Sequence, residues 1–84
     1  MPRVIVERHF VDPVTDADVT AVKQRQDDCL DNYNVTWVRS RLSTDRMHMI
    51  CEYDAADAES VRKVQMEART RVDRIWPADI FGEI

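Results

Sequence analysis

The chain has a single glycine and three prolines in 84 residues, and no stretch that reads as a flexible linker or low-complexity run. That scarcity implies one compact domain over residues 1–84, built mostly of regular elements. A domain this small buries only a moderate share of its surface, so association is a common source of extra stability. Cysteine is also scarce. Cys29 and Cys51 stand alone, without CxxC or finger spacing, which excludes a disulfide framework and a thiolate zinc site and suggests buried free thiols in a reducing, cytoplasmic setting. No apolar run reaches the length of a membrane span, and Met1 to Val4 lacks the core of a signal peptide, so no membrane partner is expected. Basic residues are outnumbered, 12 against 16 acidic, and the net charge of −4 argues against nucleic acid as a partner.

What is present alternates between two periods. Residues 3–10 alternate as a strand, with Val4 and Val6 on one side and Ile5, Glu7 and His9 on the other; Asp12-Pro13 ends it. Thr15-Asp-Ala-Asp18 has the form of a capping box, and Val19, Val22, Gln26, Cys29 and Leu30 then recur at helical spacing to about residue 31. Asp54 or Asp57 can cap a second helix that turns Ala58, Val61, Val64 or Gln65, and Ala68 inward. No glycine marks where that helix ends. A fourth strand over 72–76 is expected to be interrupted by Pro77.

Between the helices, residues 35–53 read as a hairpin. A turn centred between Thr44 and Asp45 pairs Leu42 with Met47, Ser40 with Met49 and Val38 with Cys51. On the other face it pairs Arg41 with His48, Arg39 with Ile50 and Trp37 with Glu52. The order β-α-β-β-α-β, with right-handed crossovers, predicts an α+β ferredoxin-like fold with sheet order 4-1-3-2 and both helices on one face. The helices cover Val4, Val6, Val38, Leu42, Met47, Met49, Cys51, Tyr53 and Ile75. The open face is left with Ile5, Glu7, His9, Trp37, Arg39, Arg41, His48, Ile50, Glu52 and Trp76. That mixture is too apolar for free solvent, so a homodimer pairing two open faces as a dimeric α/β barrel is expected.

Four blocks carry a resemblance: Val6-Glu7-Arg8-x-Phe10, Trp37-x-x-Ser40-x-Leu42-Ser43, Cys51-x-Tyr53-x-Ala55-x-Asp57-Ala58-x-x-Val61 and Val72-Asp73-Arg74-Ile75-Trp76. In order and spacing they resemble the small bacterial DUF4242 family, which includes an atypical nickel-binding protein. The resemblance implies a ferredoxin-like dimeric α/β barrel and, for most members, no assigned activity. It also implies histidines on the inner sheet face of the nickel-binding relatives, where this chain has Glu7, Arg39 and Trp76. A guanidinium cannot ligate a divalent ion.

Two kinds of site are consistent with the open face. With the first strand antiparallel to the third, His9 meets His48, Glu7 meets Ile50 and Ile5 meets Glu52. Two imidazoles and a carboxylate could hold nickel or zinc, with a second copy completing the set. Alternatively, Glu7, Trp37, Arg39, Arg41, Glu52 and Trp76 form a small-molecule pocket, the indoles stacking and the guanidiniums holding a carboxylate or enolate. The structural counterpart of both is an ordinary set of ion pairs lining a dimer cavity. The function expected is therefore binding of a small ligand or divalent metal between the two sheets. A small cofactor-independent oxygenase, isomerase or decarboxylase is the alternative, on fold analogy alone.

Overall fold

The computed structural model describes residues 2–82; Met1 and residues 83–84, the ends of the expected 1–84 domain, lie outside the described residues. The elements are β1 (Arg3–His9), α1 (Asp16–Asn32), β2 (Thr36–Leu42), β3 (His48–Asp54), α2 (Ala58–Ala68) and β4 (Arg74–Ala78). The strands form one antiparallel sheet in the order β2-β3-β1-β4, the expected ferredoxin-like arrangement. Val4, Val6, Met49, Cys51 and Tyr53 pack against Leu30 of α1 and Val61 and Val64 of α2, so both helices share one face of the sheet.

Both helices begin where their caps direct. The Asp18 N–H donates to Thr15 Oγ1 at 3.1 Å, while the Thr15 N–H donates to Asp18 Oδ2 at 2.9 Å, closing the capping box. Asp57, rather than Asp54, caps α2 by accepting from the Ser60 N–H at 2.8 Å. The missing glycine stop of α2 is supplied by Arg69, which takes the left-handed conformation at φ 56°. The Arg69 N–H reaches Met66 O at 3.2 Å and the Thr70 N–H reaches Gln65 O at 3.1 Å, the bonding of a Schellman end.

Three sequence expectations are corrected. The hairpin register is displaced by two residues: Leu42 pairs with Met49, Ser40 with Cys51, Arg41 with Ile50 and Arg39 with Glu52. The connection is longer than a turn centred on Thr44-Asp45. It runs from Ser43 through Met47, with Arg46 at φ 64° and the Asp45 carboxylate accepting from the Met47 N–H at 3.0 Å. Met47 therefore lies in the turn and Cys51 faces Ser40 rather than Val38. A shift of two preserves the faces, but a bulge does not. Between Trp37 and Arg39 the ladder skips Val38, so Trp37 pairs with Tyr53 and turns to the helix side. Finally, Pro77 interrupts nothing. It pairs with Val4 inside β4, a position open to proline because β4 is an edge strand.

Candidate functional site

The face away from the helices is laid out in rows by the register. One row runs Arg39, Glu52, Ile5, Trp76; the next runs Arg41, Ile50, Glu7, Arg74. His9 opposite His48 ends the β1–β3 ladder, and Arg3 opposite Asp54 begins it. The pairings expected between β1 and β3 are the observed ones: Ile5 with Glu52, Glu7 with Ile50, His9 with His48.

Glu52 is the electrostatic centre of this face. It is only 7% exposed, so its charge needs partners. Arg3 Nη1 lies 2.6 Å from Oε1, Arg39 Nε 3.8 Å from Oε1 and Arg41 Nε 3.4 Å from Oε2. Arg3 is shared with Asp54, 3.0 Å from its Nε, and that hydrogen bond helps to hold the Arg3 guanidinium above its ordinary value. Glu7 accepts from Trp76 Nε1 at 2.6 Å and has Arg74 at 3.9 Å. Glu7, Glu52 and Asp54 meet four guanidiniums here, and Asp79 just after β4 brings the described residues of this face to four charges of each sign.

A cavity of about 270 Å³ opens on this face, lined by Ile5, Arg41, Glu52, Trp76, Ala78, Asp79, Ile80 and Phe81. It brings together three of the six expected pocket residues, Arg41, Glu52 and Trp76. Arg39 stands beside Glu52, and Glu7 holds the Trp76 indole, both outside the lining. Trp37 is not there at all. Its Nε1 donates to Ser40 Oγ at 3.0 Å and Lys23 Nζ sits 5.4 Å from its ring, against α1. Residues 80 and 81, which β4 parity alone could not place, form the far wall; Phe81 is 90% exposed.

His9 and His48 meet edge to face, with ring centroids 4.2 Å apart. Asp73 joins them: it accepts from the His9 N–H at 2.6 Å and lies 3.6 Å from His9 Nδ1. Those bonds, with the Arg71 guanidinium 3.1 Å away, hold the Asp73 carboxyl below its ordinary range. For a divalent ion the fit is incomplete. Among the described residues no group of three or more His, Cys, Asp or Glu is placed to hold a metal. The two imidazoles have Asp73 already committed and, at Glu7, Arg39 and Trp76, an indole-bound carboxylate, a guanidinium and an indole.

A second polar cluster, without a mark in the strand alternation, lies on the helix side of the sheet. Arg8 shares the parity of Val4 and Val6 and is 1% exposed on the helix side. Its guanidinium donates to Arg71 O at 2.9 Å, Gln65 Oε1 at 2.9 Å and Tyr53 Oη at 3.2 Å. Tyr53 donates to Gln26 Oε1 at 2.6 Å. Burial comes first among the causes that push the Tyr53 phenol up to about 12, so it stays neutral beside Arg8. The available signal was the pair of glutamines on the two helix stripes: buried amides from both helices need a polar partner within the core.

Comparison with known proteins agrees with this architecture. A family model described as Nickel responsive protein SCO4226-like matches residues 5–77. Among solved structures, the crystal structure of SCO4226 from Streptomyces coelicolor A3(2) superposes with a TM-score of 0.85 at 15% identity, covering 95% of this chain and 99% of that one. No curated protein matches the chain.

Proposed function

Because the chain belongs to the nickel-responsive SCO4226-like family, we propose that it is a homodimeric binding protein whose ligand lies between two facing sheets. The DUF4242 resemblance is the finer assignment, supported by all four sequence blocks falling inside the matched residues 5–77. The ligand proposed is a small organic carboxylate. One observation carries this: a single cavity on the open face is lined by both Arg41 and Trp76. A carboxylate there gains a charge-assisted bond from Arg41 and an apolar wall from Trp76 and Ile5. Dimerisation is supported by Trp76 and Ile50, 38% and 40% exposed in the single chain.

The His9–His48 contact supports a second reading, in which each chain of the dimer offers two imidazoles to a divalent ion. The described residues of one chain supply too few donors, so the carboxylate reading is preferred. The enzyme alternative is weakened by spacing. His9 lies four residues along β1 from Ile5, about 13 Å from the Trp76 row, too far for an imidazole to move a proton on a ligand held there.

Titrating tag-free protein with benzoate, followed by amide and indole N–H shifts, tests the reading. The expected result is saturable movement of Arg41, Glu52 and the Trp76 indole, weakened about tenfold in Arg41→Gln. No movement there at high benzoate sinks it. A parallel Ni²⁺ titration that shifts His9 and His48 at stoichiometric metal would transfer the function to the second reading.

A further inference from the structure

On the opposite side of the sheet, a groove of about 340 Å³ runs between α2 and β4. Its inner wall is Gln65 and Thr70, its floor Val72 and Ile75, and Arg62 stands on its α2 side. The volume is at the lower end of the range for small-molecule sites. The floor is apolar: Val72 and Ile75 pack directly on the core.

What distinguishes this groove is the charge behind its wall. The Arg8 guanidinium bonds to Gln65, which lines the groove, and to the carbonyl of Arg71, which lies between the lining residues Thr70 and Val72. Thr70 Oγ1 donates to the same Gln65 Oε1 at 2.5 Å. Every acceptor bonded to Arg8 is neutral: an amide, a carbonyl and a phenol kept protonated by burial. Its buried Nε has no acceptor among the described residues. A guanidinium stays charged in proteins, and a charge this deep is costly without an opposite one nearby. Asp73 also lines the groove, but its carboxylate is matched by the Arg71 guanidinium at 3.1 Å and the His9 N–H at 2.6 Å.

We propose that this groove is a second ligand site, separate from the open sheet face, that takes a small carboxylate with a short apolar body. The carboxylate sits at the Gln65–Thr70 end, in the field of Arg8 and within reach of the Arg62 side chain, and the apolar body lies on Val72 and Ile75. Arg62 is available for this because its partner Glu59 is an exposed neighbour one turn away on α2.

The probe is hexanoate, with hexanamide as its neutral counterpart, followed by amide shift mapping on the full chain. The expected result is saturable movement of Gln65, Thr70, Val72 and Ile75 with hexanoate, and at least about tenfold weaker binding of hexanamide. Arg62→Gln, an exposed helix substitution, weakens hexanoate several-fold and leaves hexanamide unchanged. Equal binding of the two probes overturns the proposal, as does a groove that hexanoate does not perturb. Movement confined to Arg41, Glu52 and Trp76 also overturns it, while leaving the open-face reading standing. Movement confined to the groove does the reverse.

Discussion

Tyr53 sits where the two helices and the sheet meet, its phenol donating to Gln26 and accepting from Arg8. Removing that oxygen leaves an amide and a guanidinium short of a partner in the core. Tyr53→Phe is expected to lower stability by about 1–3 kcal/mol, read from the urea midpoint at neutral pH. The same residue shapes the alkaline limb. Its folded-state value, about 12, lies above the ordinary 10, so the unfolded chain loses its proton first. The stability this phenol contributes is whole below pH 10 and declines as pH climbs toward 12. In Tyr53→Phe that decline is expected to shrink to a remainder from Tyr33, whose phenol Glu67 also holds up, and from the Cys29 thiol, which burial pushes up. A decline equal in both proteins would remove Tyr53 as its cause. Residue identity was also where the sequence was most misleading. Arg8 and Trp37 each look like surface groups in the linear pattern. Arg8 is drawn inside by acceptors on β3, on α2 and in the α2–β4 connection, and Trp37 is turned over by one extra residue, Val38. Neither the partners of the first nor the bulge at the second leaves a mark in local alternation.

Element boundaries follow from side chains that satisfy free backbone groups, and these were largely legible. Thr15 and Asp57 announce their helices because their oxygens can accept from N–H groups that have no partner within the helix. The end of α2 was not legible, since the residue placed in the left-handed conformation is Arg69, where a glycine would be the usual marker. Arg69→Gly is therefore expected to stabilise the protein by up to about 1 kcal/mol, because the strain of a side chain at φ 56° disappears. A lower thermal midpoint for the variant would show that the Arg69 side chain makes a compensating contact. The caps also set the acid limb. Hydrogen bonds from Thr15 hold Asp18 below 3.8, and bonds from Ser60 do the same for Asp57. Folded values below the unfolded ones stabilise the protein above the usual carboxylate range, and the benefit is lost as pH falls through the lowered values. Urea midpoints taken from neutral pH to below 3.8 are expected to fall, and to fall less in Asp57→Asn. The hairpin register shows the remaining limit. Strand parity defined the faces, but a loop running from Ser43 to Met47 moved the pairing by two residues, and only the turn conformation at Arg46 decides that.

At the scale of the whole molecule, topology was the most legible feature. Four strands and two helices in this order leave one sheet face uncovered, and the β1–β3 register then follows from the antiparallel pairing. What the open face binds is less legible, because a buried glutamate ringed by three arginines serves equally as a ligand site and as half of an interface. The proposed function joins the two: a second copy is proposed to cover the face, with a carboxylate between the sheets. Trp76 and Trp37 separate this from a general surface effect, since they are equally exposed in one chain but lie on opposite faces. The most direct measurement is solution mass by light scattering at micromolar concentration for the wild type, Trp76→Ala and Trp37→Ala. The account predicts twice the chain mass of 9.9 kDa for the wild type and for Trp37→Ala, and a shift toward the single chain for Trp76→Ala. A wild-type protein that scatters as a single chain, or a dimer that Trp37→Ala dissolves and Trp76→Ala does not, contradicts it.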